Sequence, residues 1–260
     1  MNASYDVFAL KYATVNRVRK SNFAQPVDGN PDAAMVMDFF IWLIVGKDAV
    51  VLVDTGFSPA SGQARNRQYL MPPAQMLRQL GYAGGDIKDL VLTHLHYDHA
   101  GNIGDFPAAT VWVQQRELHY ATSSNMSDAG QNHFFSVNDI TSLIERLYQG
   151  QVRLIDGMHT LREGIELHRI GGHTDGLQVV RVKTKNGWIV LASDAAHYYE
   201  NLEKTNPFPA ISSLDDMLAG YARIRQLADG ENNIVPGHDP LVCQRYPSAG
   251  VPGVLAWRIA

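Results

Sequence analysis

The sequence predicts a layered α/β fold in which two β-sheets pack face to face with helices outside. Three observations predict it. Strand-dense segments occur in both halves of the chain, amphipathic helices separate and flank them, and no low-complexity, charge-block or Pro/Gly-rich linker divides the 260 residues into modules. The length is between one and two times the roughly 150 residues of a typical domain, and 45% hydrophobic content suits a packed core. Residues 1–260 therefore read as a single domain.

Tyr5 to Thr14 and Met35 to Val45 hold Val, Ile, Phe, Trp and Tyr at strand density, and Ala49 to Val53 is a short buried strand ending at Asp54-Thr55-Gly56. The turn formers from Gln25 to Asp32 separate the first two. Pro72 to Leu80 reads as a helix, with Met76, Leu77 and Leu80 at three- and four-residue spacing and Gly81 just past its end. Leu90 to Thr93 is a strand that runs into a histidine cluster. In the second half, strands are expected at Thr110 to Gln114, Gly164 to Ile170, Leu177 to Lys183 and Trp188 to Ser193, the last two joined by an Asn186-Gly187 hairpin turn. From Ser213 to Ala228 the residues Leu214, Met217, Leu218, Tyr221, Ile224 and Leu227 form one helical stripe, with Ser213 and Asp216 resembling a capping box. Ile234-Val235 is a last short strand before Pro236-Gly237-His238.

Composition removes several function classes. With 22 Lys and Arg against 26 Asp and Glu, the net charge of −4 disfavours a nucleic-acid partner. The longest apolar run, near Phe39 to Val45, is far shorter than the roughly 20 residues of a membrane span, so no membrane association is expected. Met1 to Leu10 carries Asp6 and lacks a basic segment followed by an apolar one, so no secretory leader is read. The one cysteine, Cys243, excludes an internal disulfide and agrees with a reducing, cytoplasmic compartment.

The chemistry concentrates in His94-Leu95-His96-Tyr97-Asp98-His99. Residues two apart at a strand end point the same way, so His94 and His96 can face one ion, while Asp98 and His99 follow after the chain has turned. Imidazole and carboxylate suit borderline ions such as zinc, and three protein ligands plus water is the open arrangement of a catalytic site. Further candidates lie at strand ends or beside glycine: Asp54, His173 after Gly171-Gly172, Asp194, and His238 after Gly237.

The order of these pieces, Thr93-His94-Leu95-His96-Tyr97-Asp98-His99-Ala100-Gly101-Asn102, then Gly172-His173-Thr174, Asp194 and Gly237-His238, resembles the metallo-β-lactamase superfamily from about Met35 to Asp239. The resemblance implies an αββα sandwich, two mixed β-sheets flanked by helices, with metals at one edge. It implies that His94, His96 and His173 bind one ion, that Asp98, His99 and His238 bind a second, and that Asp194 bridges them. Asp54 is expected to orient a histidine without touching metal. Asp194 stands where β-lactamases proper generally carry cysteine, and His96 stands where flavodiiron proteins carry an acid. The chain is most similar to N-acyl homoserine lactonases, in the histidine core, in Val113-Gln114-Gln115-Arg116-Glu117, and in Asp194-Ala195 followed by Glu200-Asn201-Leu202-Glu203. Well-known lactonases place a substrate-contacting tyrosine three residues after the bridging Asp. Here that position is His197, with Tyr198 and Tyr199 next, so His197 or a neighbouring tyrosine takes the role, or all three line the rim.

These resemblances imply a dinuclear metal-dependent hydrolase that opens a lactone ring, foremost of an N-acyl homoserine lactone. Two divalent ions, two carboxylates and a bridging hydroxide leave the site at about +1, ready for the oxyanion that forms when hydroxide attacks a carbonyl. Asp98 or Asp194 can hold the proton, and His197 or Tyr198 can polarise the carbonyl or donate to the leaving oxygen. Zinc is the foremost metal, with manganese, iron and cobalt compatible. The expected partner is a small-molecule lactone, with the chain a monomer or homodimer. Rivals are a thioesterase of the glyoxalase II type, which Arg245 and Arg258 standing apart argues against, a hydrolase of another lactone or ester, and a non-enzymatic metal-binding module. Seven ligand-type residues with an open site count against the last. Candidate walls for an acyl group are Phe57 to Pro73, Met126 to Phe135 and Pro207-Phe208-Pro209.

Overall fold

The computed structural model describes residues 4–260. The first three residues of Met1 to Leu10, on which the leader reading rests, lie outside them. The larger of two sheets has eight strands. Seven run in the order Ala256–Arg258, Asp6–Val18, Ala34–Val45, Val50–Val53, Asp89–Val91, Thr110–Gln114 and Val152–Ile155, and Gln68–Tyr69 pairs with Asp6–Val18. The second sheet has five, in the order Ile234–Pro236, Gly187–Ser193, Gln178–Thr184, Ile165–Arg169 and Met158–Arg162. Both are mixed: Val50–Val53 through Val152–Ile155 pair in parallel, as do Gly187–Ser193 and Ile234–Pro236, while the other pairs are antiparallel.

Alternation along the strands builds the layers. Ala34–Val45 is covered on both faces, which is why it reads as a continuous apolar run. Trp42 and Ile44, with Val7, Ala9, Val51 and Val53, meet Leu167, Val180, Val182 and Leu191 of the second sheet between the two layers. Their neighbours Ile41 and Leu43 point the other way, with Leu10, Leu52 and Leu90, beneath Met76 and Leu77 of the helix Pro73–Gln79 and Leu143 of the helix Val137–Tyr148. The outer face of the second sheet, Val179, Val190 and Ala192, is covered by Met217, Tyr221, Ile224 and Leu227 of the helix Leu214–Leu227. The result is an αββα sandwich. Among the described residues no helix is long and apolar enough to cross a membrane.

Ser213 caps its helix as expected, its hydroxyl accepting from the Asp216 N–H at 3.3 Å. The hairpin turn is corrected by one residue. Lys185-Asn186 form the loop, because Gly187 at φ +102° already pairs with Thr184 and its neighbour Trp188 donates its N–H to Asp229. The helix Val137–Tyr148 and the strands Val152–Ile155, Met158–Arg162 and Ala256–Arg258 were not anticipated.

Candidate metal centre

Five strands end at one edge of the sandwich, and the residues that follow them carry the site. Asp54 follows Val50–Val53, His94 comes shortly after Asp89–Val91, Asp194 follows Gly187–Ser193, and His238 comes after Ile234–Pro236. Thr110–Gln114 is followed by the helix Gln115–Ala121, which carries Glu117. Asp98 and His99 sit in the single helical turn Tyr97–Ala100, with His96 extended at its N-terminus. Two glycines let the loops close. A Cβ on Gly237 would lie 2.7 Å from the Ser193 carbonyl oxygen and 3.0 Å from Asp194 Oδ1. Gly172, beside His173, has φ +89° and a Cβ there would lie 2.5 Å from the Met217 nitrogen. Ser193 itself adopts φ +45°, a strained conformation for a non-glycine residue, immediately before Asp194.

Asp194 is the centre of the arrangement, 2% exposed. Its Oδ2 lies 3.2 Å from His173 Nε2 and 3.8 Å from His94 Nε2, while its Oδ1 lies 3.2 Å from His99 Nε2 and 3.0 Å from His238 Nε2. The two oxygens of one carboxylate thus face two sets of imidazoles. The first set gathers His94, His96, His173 and Asp194; the second gathers Asp98, His99 and His238. Within each set the donor atoms lie within 4.8 Å of one another. Asp98 Oδ2 is 3.8 Å from His99 Nε2 and 3.9 Å from His238 Nε2. His197 adds a third grouping, its Nε2 3.1 Å from Asp194 Oδ2.

A second layer of contacts aims the rings. His99 Nδ1 is 2.8 Å from Asp54 Oδ2. His173 Nδ1 donates to the Ala210 carbonyl at 2.7 Å and His238 Nδ1 to the Asp38 carbonyl at 2.7 Å, so each presents Nε2 inward. Asp54 is fixed by the Thr93 N–H at 2.8 Å and by the Thr93 hydroxyl, which also reaches Ser193 Oγ at 2.8 Å and so ties the two sheets together beneath the site. Glu117, wholly buried, accepts from the Leu95 N–H at 2.9 Å, the Thr174 hydroxyl at 2.6 Å and the Gly176 N–H at 3.0 Å. It therefore pins the His94–His96 loop to the His173 loop.

Burial, reinforced by neighbouring imidazoles, holds His94 and His96 well below the usual histidine range, so both are neutral at pH 7, the form that ligates metal. Burial likewise pushes His197 down to about 3, against the pull of Asp194. His99 and His238 go the other way: burial opposes their charge, but Asp194 and Asp98, with Asp54 beside His99, raise both. Asp194 is held well below the carboxylate range because His197, His238 and His99 outweigh its burial.

The donor set fits two borderline divalent ions. His94 Nε2, His99 Nε2 and Asp194 Oδ1 are buried without an aligned hydrogen bond, and such atoms cost about 1–3 kcal/mol each when left unsatisfied. Neutral imidazoles and carboxylates converging within 4.8 Å remove that cost by ligation.

The other candidates divide. His197 stacks flat on Phe208, ring centroids 3.9 Å apart and planes 9° apart, and its Nδ1 is buried without a partner. Tyr198 is outside the cluster. Its ring packs beside Phe23 and its hydroxyl donates to the Val36 carbonyl at 3.2 Å, because the extended backbone at this residue points it away from His197 into the core. Tyr199 lies beneath the Arg245 guanidinium, 3.6 Å from its ring centroid. Of the expected walls, Phe134 stacks on His96 at 5.1 Å and Phe135 meets it edge-on at 4.7 Å, whereas Phe57 is fully buried core. The structural roles of Glu117 and Asp38 were not read from the sequence. An acid directly after the Thr110–Gln114 strand was a signal for the first; the second contributes a backbone carbonyl, which no side-chain pattern marks.

The family described as the Metallo-beta-lactamase superfamily matches residues 40–238. A probable metallo-hydrolase of Mycobacterium tuberculosis is 28% identical over 233 residues, 80% of this chain and 74% of that protein. An N-acyl homoserine lactonase of a Bacillus species is 27% identical over 222 residues, 78% of this chain and 83% of that protein. Among solved structures, a quorum-quenching N-acyl homoserine lactone lactonase superposes with a TM-score of 0.75 at 22% identity, covering 92% of this chain and 94% of that one.

Proposed function

The chain belongs to the metallo-β-lactamase superfamily, and from that premise we propose that it is a dinuclear metal-dependent hydrolase that opens lactone rings, N-acyl homoserine lactones foremost. The observation that carries the reading is the Asp194 carboxylate with one oxygen toward His94 and His173 and the other toward His99 and His238. His94, His96 and His173 would hold one ion, Asp98, His99 and His238 the other, and Asp194 both. Two divalent ions there, zinc foremost, would bring water to a pKa of roughly 7 and polarise a carbonyl. The similarity to a Bacillus lactonase over most of both chains favours a lactone among esters.

The chain's own residues supply positioning and proton traffic. His197 is neutral at pH 7 and donates from Nε2 to Asp194, which leaves Nδ1 to accept a hydrogen bond from a donor on the substrate, such as its amide N–H. Its ring cannot tilt, being held against Phe208. Asp98, at 8% the most exposed of the clustered groups, is placed to take a proton from water as its oxygen bonds to the carbonyl carbon, and to give that proton to the ring oxygen as the bond between the carbonyl carbon and the ring oxygen breaks. Phe134 and Phe208 cover the His96 and His197 sides with apolar surface.

The test is proton release by zinc-, manganese- or cobalt-loaded protein given N-hexanoyl homoserine lactone, a simple γ-lactone and an acylglutathione thioester. Ring opening of the homoserine lactone, abolished by chelator, is expected. Turnover of the thioester alone would replace the lactonase reading with a thioesterase one.

A further inference from the structure

A pocket that borders this centre through Phe134, stacked on His96, and Phe208, stacked on His197, has a cavity volume of about 580 Å³ and is also lined by Arg17, Arg65, Arg67 and Tyr97. Three arginines on one wall are unexpected in a chain of net charge −4. All three are half-buried, and every hydrogen bond their guanidinium groups make within the described residues goes to a neutral oxygen. Arg17 donates to Asn22 Oδ1 and the Ser21 carbonyl. Arg65 donates to Ser61 Oγ and the His133 and Phe135 carbonyls, and Arg67 to the Tyr97 hydroxyl and the Arg65 carbonyl. Other half-buried arginines of the chain are paired within 4.0 Å of an acid: Arg19 with Glu200, Arg169 with Asp175, Arg181 with Glu166. Burial, then the charge of Arg67, pulls the Arg17 pKa down. None of the three is paired with an acid within 4.0 Å among the described residues; Arg65 feels the more distant Asp139, and Arg17 and Arg67 repel one another. Partly desolvated positive charges so placed are costly unless an anion completes them.

The wall also stands at a defined distance from the chemistry. The Arg17 guanidinium is 5.2 Å from the Phe208 ring centroid, and Phe208 in turn stacks on His197 at 3.9 Å. Arg65 lies 4.1 Å over the Tyr97 ring and Arg67 Nε is 3.0 Å from its hydroxyl, while Tyr97 sits in the chain between His96 and Asp98. On the Arg17 side a single ring, Phe208, therefore separates a guanidinium group from an imidazole of the cluster. An anion on the wall and a carbonyl at the Asp194 centre must be joined by an apolar spacer.

We propose that Arg17, Arg65 and Arg67 bind an oxyanion, carboxylate or phosphate-like, at the end of the substrate's acyl group, so that the site selects acidic lactones over neutral alkanoyl ones. The forked guanidinium groups match either oxyanion bidentately. This rests on the lactonase reading and narrows its substrate class.

Three N-acyl homoserine lactones with matched six-atom chains ending in methyl, carboxylate or phosphonate test it. For metal-loaded protein, kcat/KM is expected to be roughly tenfold or more higher for an acidic chain than for the methyl one, and the more favoured acid identifies the oxyanion. That preference is expected to shrink as NaCl rises from about 20 mM to about 0.5 M, a measurement on the unaltered protein, and to fall toward unity in Arg17→Gln and Arg65→Gln. Equal or better turnover of the methyl chain overturns the arginine wall and leaves the lactonase reading standing. If no lactone is opened, calorimetric binding of adipate that is lost in Arg17→Gln upholds the wall while the lactonase reading fails, and no adipate binding overturns the wall as well.

Discussion

Asp54 Oδ2 lies 2.8 Å from His99 Nδ1, and the same carboxylate is held by the backbone N–H and hydroxyl of Thr93, one residue before His94. One buried acid therefore sets the orientation of a ring in the second imidazole set and the position of the loop that delivers the first. Asp54 has φ +62°, so the strand end is bent to place it there.

Asp54→Asn keeps the shape and removes the charge facing Nδ1. Affinity for one of two ions is expected to fall about 10- to 100-fold, with the other little changed. Competition with a chelating dye measures both affinities, and two unaltered constants would show that Asp54 does not aim His99.

In metal-replete His197→Phe protein the stack on Phe208 is preserved while Nδ1 is lost. Turnover is expected to drop by about 10²-fold with metal content intact. An unchanged kcat would remove His197 from the reaction.

Glu117→Gln replaces two accepting oxygens with one, leaving Leu95, Thr174 or Gly176 short of an acceptor. A loss of about 1–3 kcal/mol in unfolding free energy is expected. Denaturant midpoints equal to those of the unaltered protein would mean that the two histidine loops are joined by something else.

Asp139 supplies a pH dependence away from the metal centre. Burial raises its pKa from 3.8 to about 6, against a Ser136 hydrogen bond and the Arg65 charge. The folded state thus favours the neutral acid, and that contribution is fully present below pH 3.8 and lost as pH rises through 6. Asp139→Asn is expected to be more stable than the unaltered protein near about pH 8, with the gain vanishing near about pH 4. Urea unfolding at the two values checks it, and a gain of the same size at both would contradict the assignment.

How much of this was legible in the sequence depends on how local each feature is. His94, His96, Asp98 and His99 announce themselves because one strand end and one helical turn bring them together. His173, Asp194 and His238 were findable from glycine and strand-end context, together with the family order. The strands from Ala34 to Val53 are legible as continuous apolar runs, the mark of strands covered on both faces, and the helix Leu214–Leu227 by its helical spacing of apolar residues. Arg17, Arg65 and Arg67 left no pattern, since they come from a strand end and a loop nearly fifty residues apart and meet only in the fold. Tyr198 misled because neighbours in sequence on extended backbone point to opposite sides, and its hydroxyl ends on Val36 while His197 faces Asp194. The helix Val137–Tyr148 was legible too, with Ile140, Leu143, Ile144 and Leu147 at three- and four-residue spacing toward the core and polar residues opposite.

The central claim is that one carboxylate, Asp194, joins two metal positions. The most direct measurement is metal content by elemental analysis of the unaltered protein and of Asp194→Ala, with chelator-sensitive lactone hydrolysis followed in parallel. Two ions per chain in the unaltered protein, with loss of stoichiometric binding and of turnover in Asp194→Ala, is the predicted result. Retention of two ions and near-native turnover without Asp194 would contradict it.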